Sequence, residues 1–261
     1  MQVYGVIGDP VDHSLSPPMH RAAYEATGLD ADYSRFPVTE DVEAAVMGAH
    51  ALGVDGLNVT VPHKEAVASL DAVDLGDVAS RIGAVNTVDL DAMRGHNTDV
   101  AGAMRALTHH GVGVDGCRAV VVGAGGAARA VVDGLVGRAG AVAVANRTVE
   151  RAERLAEEAA DRGTVTAHGL DDLEDLLADA DLLVNATSVG MEEDVSPVPA
   201  DALHGDLAVF DVVYTPRETR LLRDAAAVGA TTVTGDWMLV FQGAEAFEIW
   251  TGEEAPVEAM H

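Results

Sequence analysis

The stretch RAVVVGAGGAARAVVDGL, residues 118–135, decides the fold. Its first part, RAVVV (118–122), is an apolar run of strand length. It passes directly into GAGGAA (123–128), which fits the pattern G-x-G-x-x-G/A. The pattern alone is weak, but after a strand and at the head of a helical run it marks the first βα turn of a dinucleotide-binding sheet. Gly123 permits the tight turn and Gly125 lets the backbone approach a pyrophosphate, which then rests on the unpaired N–H groups of the helix start. Ala128 is small enough for close helix packing. The next strand, AVAVAN (141–146), ends where an NAD site would carry an acid for the ribose 2′-hydroxyl. Here the chain places Asn146-Arg147-Thr148, with Arg151 one turn on. A guanidinium binds a 2′-phosphate and a carboxylate repels it. The predicted cofactor is therefore NADP(H), unless the arginines merely serve neighbouring glutamates.

Working outward, strands and helices alternate on both sides of this turn, so an α/β fold is expected. Upstream are strands at 3–8, 32–38 and 56–60, a helix from Pro17 to Thr27 with Ser16 as N-cap, and helices near 40–52 and from His63. GAVNTV (83–88) leads into a further strand. NTDVAGAMRAL (97–107) opens a helix with Thr98 as cap, which links two halves. Downstream come a charged helix at 149–162, buried strands at 181–187 and 207–214, and a final helix at 235–250. The tail EEAPVEAMH is expected to be loose.

The 261 residues carry a net charge of −27, from 43 acidic and 16 basic side chains. That balance excludes nucleic acid and anionic membrane surfaces as partners, since both demand a basic face. No run approaches the roughly 18 apolar residues of a membrane span. The start of the chain does not read as a signal peptide, and a single cysteine, Cys117, fits a reducing cytoplasm. The acids are dispersed through helices, as on a folded surface. Such a surface repels itself in dilute buffer, whereas in ~1 M salt the screening length falls to about 3 Å. Salt adaptation is one reading; an ordinary acidic protein from a GC-rich genome is the other.

Against this background one residue stands out. Of the basic side chains, fifteen are arginine and one is lysine, Lys64 in NVTVPHKEA (58–66). Arginine serves for solubility or a surface ion pair. A position that keeps lysine points to a compact ammonium able to give up its proton, which a guanidinium does not do. Four polar clusters lie around it in the first half: Ser14 and Ser16, Asn58 and Thr60 with Lys64, Asn86 within GAVNT, and Asn97-Thr98-Asp99. Each follows or ends a strand or opens a helix, where α/β sheets place binding loops. Hydroxyls and amides together suit a small molecule bearing hydroxyls and a carboxylate. Taken singly, Ser16 and Thr98 could be helix caps and Asn86 a turn residue. The histidines at 13, 63, 109 and 110 are too dispersed for a metal site and are expected on the surface; no metal is expected.

In chain order the sequence holds SLSP, NVTVPHK, GAVNT, NTD, GAGGAARA, NRT, NATSVGM, DVVYTPRETRLL and a terminal helix with glutamine. With these motifs it resembles the shikimate dehydrogenase family over almost its whole length. The resemblance implies two α/β domains with a cleft between them. A substrate domain with a mixed sheet would span 1–100 and be completed by 236–261; a Rossmann-type NADP domain would span 101–235. It further implies that Lys64 and Asp99 form the catalytic pair. Ser14 and Ser16 would hold the substrate carboxylate, with Tyr214 on the same side, and Asn58, Thr60, Asn86 and Gln242 the ring hydroxyls. For the cofactor it implies Gly123, Ala124, Gly125, Gly126 and Ala127 at the pyrophosphate and Asn146, Arg147, Thr148 and Arg151 at the adenosine. Val212 and Gly235 would meet the nicotinamide, and Asp77 would lie near the cofactor. The chain would act as a monomer or homodimer on 3-dehydroshikimate and shikimate.

Two other readings stay open. One is a quinate/shikimate dehydrogenase of broader scope using NAD, against which Arg147 speaks. The other is a silent NADP-binding regulator, which would have no reason to keep the one lysine.

Overall fold

The computed structural model describes all residues, 1–261. The chain divides into two compact units, Met1–Gly102 with Val240–His261, and Ala103–Leu239.

In the first unit, β1 (Gln2–Gly8), β2 (Ala31–Pro37), β3 (Gly56–Val59), β4 (Asp74–Leu75), β5 (Thr87–Asp89) and β6 (Arg94–His96) form one sheet in the order β2-β1-β3-β5-β6-β4. β1 runs parallel to β2 and β3, while β5 is antiparallel to both β3 and β6, so the sheet is mixed. Alternate strand residues face opposite ways. Ile7, Leu57, Val59 and Val88 form one apolar face, packed with Val46 of α2 (Val42–Ala51), Val67 of α3 (Lys64–Ala68) and Ala79 of α4 (Asp77–Ile82). The other face carries Tyr4, Tyr33, Gly56 and Asn58, and α1 (Ser16–Thr27) lies on it through His20, which stacks on Tyr33. Asp41 caps α2 by accepting the Ala44 N–H. α1 differs from expectation. It starts at Ser16, with Leu15 at the cap position and no side-chain cap; the Ser14 hydroxyl accepts the Ser16 N–H instead.

α5 (Asp99–His109) carries the chain onward. In the second unit β7 (Arg118–Val122), β8 (Ala141–Ala145), β9 (Val165–His168), β10 (Leu182–Asn185), β11 (Ala208–Asp211) and β12 (Thr231–Val233) are all parallel, in the order β12-β11-β10-β7-β8-β9. This is the doubly wound order, with its switch point between β7 and β10. α6 (Gly126–Leu135), α7 (Val149–Ala159), α8 (Leu173–Leu177) and α9 (Arg220–Ala227) provide the crossovers. Val120, Val122, Leu183 and Val209 are buried against Leu177, Leu221 and Leu222, the near-continuous apolar strands expected of a parallel sheet covered by helices.

α10 (Gly235–Thr251) brings the chain back to the first unit. Its Trp250 stacks on Tyr4 at 4.8 Å and donates its indole N–H to the Val88 carbonyl at 3.0 Å. Gly56 makes this seat possible, because a Cβ there would lie 2.3 Å from the indole nitrogen. The tail departs from the expected looseness. α11 (Val257–Met260) buries Met260, Ala255 is buried before it, and the Ala255 N–H reaches the Glu248 carboxylate. The short apolar residues between the tail's glutamates are what hold it.

Candidate functional site

The polar clusters of the first unit converge. Lys64 opens α3 and Asp99 opens α5, and Nζ lies 2.6 Å from Oδ2. The two side chains keep 26% and 11% of their exposure, so this ion pair is shielded but not sealed. Asn86 donates its amide to the other carboxylate oxygen of Asp99 at 2.9 Å. Its own Oδ1 accepts the Thr98 N–H at 2.7 Å. The Asn86 amide nitrogen also lies 3.0 Å from Thr98 Oγ1 and 3.2 Å from Gln242 Oε1. Three acceptors thus compete for two hydrogens. Gln242, the longest of the three contacts, is the one free to turn toward another donor.

Asn58 lies across the β3–β5 pair from Thr87 and donates to its hydroxyl at 3.0 Å. Asn97 accepts the Asp99 N–H and donates to the Ala84 carbonyl, which fixes the start of α5. Ser16 is buried at the head of α1, while Ser14 and Thr60 are half-buried in the segments after β1 and β3. The structure therefore gathers Lys64, Asp99, Asn86, Asn58 and Gln242 in one unit, with Ser14 and Thr60 on loops of that unit and Ser16 at the head of α1. Tyr214 belongs to the other unit, three residues past β11. Asp77 is exposed on α4 in the first unit.

His63 corrects an expectation. It is buried and its Nε2 meets the Val38 carbonyl at 2.6 Å, so it braces the loop before Lys64. His109 is exposed as expected, although its ring lies 4.0 Å from that of Trp237. No group of three histidine, cysteine or acidic side chains could hold a metal ion.

The glycine turn of the second unit is organised by backbone. Gly123 adopts φ +117°, and a Cβ there would press to 2.8 Å from the Ala186 carbonyl. Only glycine fits at that angle and that distance. Ala124 follows it, Gly125 caps α6, and Gly126 and Ala127 form its first turn. Above Gly125 and Gly126 an added Cβ would meet nothing within 4 Å, so there is open space over the helix start. An anion is favoured there by the exposed N–H groups.

Asn146 follows β8 and folds its amide onto the Thr148 carbonyl at 2.8 Å, shaping the loop. Arg147, Thr148 and Arg151 are exposed on it. Elsewhere in this unit arginines do pair with acids, Arg129 with Glu158 and Arg162 with Asp133, but neither Arg147 nor Arg151 does. Those residues fit a phosphorylated dinucleotide. Val212 and Gly235 also come together, since a Cβ on Gly235 would lie 2.5 Å from the Val212 carbonyl.

Two buried groupings were not anticipated. Beside Val212, the Asp211 carboxylate accepts from Asn185, the Val213 N–H and the Thr219 hydroxyl. Burial raises its pKa against these three donors. The grouping ties the ends of β10 and β11 to the N-cap of α9. Its signal was present in NATS and in the Asp and Thr of DVVYTPRET. The second grouping is Tyr33 with Thr87, considered below.

Comparison with known proteins follows the same division. Residues 6–88 match the model described as shikimate dehydrogenase substrate binding domain. Residues 106–216 match the shikimate / quinate 5-dehydrogenase model, and 237–261 the shikimate 5'-dehydrogenase C-terminal domain. The NADP(+)-type shikimate dehydrogenase of Haloarcula marismortui is 62% identical, over 100% of this chain and 97% of its own. The chain belongs to the shikimate dehydrogenase family. Among solved structures of this family, the Thermus thermophilus enzyme in complex with NADP(H) and shikimate is 41% identical with a TM-score of 0.89, over 100% of this chain and 97% of that one. A quinate dehydrogenase from Corynebacterium glutamicum in complex with NAD is 36% identical with a TM-score of 0.93, covering 99% and 96%. Family membership thus leaves the choice between NADP and NAD to the residues after β8.

Proposed function

We propose that the chain is a shikimate dehydrogenase, reducing 3-dehydroshikimate to shikimate reversibly with NADPH. The observation that carries this reading is the shielded contact between Lys64 and Asp99, 2.6 Å apart, with Asn86 on the second carboxylate oxygen. NADP(H), when bound, supplies or takes the hydride at the substrate's C–O carbon. Every other part of the reaction falls to side chains of the chain.

As the ketone is reduced, its oxygen gathers charge and needs a proton. Lys64 gives that proton from its ammonium, and takes it back when the alcohol is oxidised. Asp99 holds Lys64 in place and accepts from the substrate hydroxyl. Asn58, Thr60, Asn86 and Gln242 bind the ring hydroxyls, and Ser14, Ser16 and Tyr214 the carboxylate. Gly123 to Ala127 receive the pyrophosphate, Val212 and Gly235 the nicotinamide, and Asp77 adjoins the cofactor. Asn146, Arg147, Thr148 and Arg151 receive the adenosine and its 2′-phosphate. On this reading residues 1–100 with 236–261 form the substrate domain and 101–235 the cofactor domain, and the enzyme works in the cytoplasm as a monomer or homodimer.

The broader reading, a quinate/shikimate dehydrogenase using NAD, draws on the quinate dehydrogenase likeness, but the arginines after β8 favour NADP. Absorbance at 340 nm decides between them. Purified protein in molar KCl is expected to reduce NADP⁺ with shikimate. Turnover with NAD⁺ instead selects the broader enzyme, and none with either cofactor overturns both.

A further inference from the structure

A single run of hydrogen bonds, all donating in one direction, leads from deep in the first unit to the candidate catalytic pair. The Tyr33 hydroxyl donates to Asn58 Oδ1 at 2.6 Å, and Asn58 Nδ2 donates to Thr87 Oγ1 at 3.0 Å. Thr87 donates to Asn86 Oδ1 at 3.2 Å, and Asn86 Nδ2 to Asp99 Oδ1 at 2.9 Å. Every residue from Tyr33 to Asp99 in this run is buried.

The two amides are also held from the backbone side. Asn58 Nδ2 lies 3.3 Å from the Asn86 carbonyl, and the Thr98 N–H donates to Asn86 Oδ1. The Thr87 hydroxyl has no such hold. Its one proton has Asn86 Oδ1 at 3.2 Å and Thr98 Oγ1 at 3.4 Å within reach. An Asn58 N–H on one Thr87 lone pair turns that proton toward Asn86. Tyr33 in turn donates to Asn58 Oδ1 at 2.6 Å, with the buried His20 imidazole beside the same amide. The phenol keeps its proton because burial pushes its pKa well above the ordinary value. His20 lies flat on the Tyr33 ring, 4.5 Å away and 3° from parallel, so the in-plane lone pair of its imidazole does not point at the phenol. The Ser16 hydroxyl also neighbours the phenol, which sets the start of the run beside a candidate carboxylate residue.

We propose that Tyr33 is a positioning residue for the proton-transfer pair, acting through Asn58, Thr87 and Asn86 on Asp99. The inference rests on the assignment of Lys64 and Asp99 above. Loss of the Tyr33 hydroxyl removes the short donor to the buried Asn58 Oδ1, and the loosening passes along the run to the carboxylate that holds Lys64.

The test is steady-state kinetics on the full chain with shikimate and NADP⁺, with thermal melting of every variant. Tyr33→Phe and Thr87→Val are each expected to lower kcat about tenfold, with KM for NADP⁺ unchanged. Thr87→Ser, which keeps the hydroxyl, restores most of the loss. The double variant is expected to be no slower than the slower single, because either change already cuts the run. A Tyr33→Phe enzyme within about twofold of the parent, or losses that multiply in the double variant, overturns the proposal. If Tyr33→Phe fails to fold, the contrast of Thr87→Val with Thr87→Ser decides alone, and equal activity of the two overturns it. Lys64→Arg run in parallel separates the two levels: if it is silent, the assignment of the pair fails; if it is slow while Tyr33→Phe is not, only the run fails.

Discussion

In the first unit the polar residues of the candidate site face one another, and Asn86 alone touches Thr98, Asp99 and Gln242. In the second unit Gly125 and Gly126 of the glycine turn face open space, and the arginines after β8 hold no carboxylate. One half of the machinery is made of functional groups already engaged. The other is made of missing side chains and uncommitted charge. The first should therefore fail when a group is taken away, and the second when an atom is added or a charge removed.

The sharpest break of that contrast is Lys64→Arg, which keeps the charge and removes the transferable proton. A fall in kcat on the order of a hundredfold or more is expected, with KM for shikimate changed less. A variant within a few-fold of the parent would show that the contact is structural only.

Next in size is Arg147→Ala. Losing a charge-assisted contact to the 2′-phosphate should raise KM for NADP⁺ by about tenfold or more while leaving KM for shikimate in place. An equal rise for both substrates would tie the loop to the whole fold.

Gly123→Ala adds one methyl at φ +117° and 2.8 Å from a carbonyl. It is expected to cost about 1–3 kcal/mol of stability, read by denaturant titration, besides weakening cofactor binding. Unchanged stability would mean that the turn relaxes freely.

The last break is a difference in pH response, which leaves stability near pH 7 untouched. His20 is fully buried and its pKa is lowered to about 3 by desolvation, so the folded chain binds fewer protons than the unfolded one below pH 6.5. Stability contributed by the neutral imidazole is present above that value and is lost as pH falls, by about 1.4 kcal/mol per unit within the window. Asp211 works with the opposite sign. Its raised pKa lets the folded state hold a proton longer, so that contribution is present at low pH and lost as pH rises through the folded value. Denaturation of His20→Leu between about pH 4 and 7 should show a flatter dependence than the parent. An unchanged slope would remove His20 from this account.

Much of this was legible in the sequence because it rests on local signals. The glycine turn needs only a strand, three glycine or alanine positions and a helix. Lys64 was legible through composition, as the one lysine kept where others were replaced. Tyr33 and Thr87 were not. Tyr33 reads as a core aromatic in ADYSRFP, and its partner Asn58 is 25 residues away. Thr87 meets Asn58 only because the antiparallel register of β3 and β5 sets them opposite each other. Nor could the burial of His63 be seen, because the Val38 carbonyl that it meets comes from a distant segment. The tail was misread because its polar residues outnumber the few that are buried, Ala255 and Met260.

The seat of Trp250 over Gly56 has a consequence for how the chain is made. Residues 240–261 complete the sheet-and-helix body that begins at Met1, yet the ribosome delivers them only after residues 103–239. The β5 carbonyl waiting for the indole, and Asn86 waiting for Gln242, stay incomplete until the whole parallel-sheet unit between them has been translated. The mixed-sheet unit thus becomes whole only once residues that follow the parallel-sheet unit in the chain have been made.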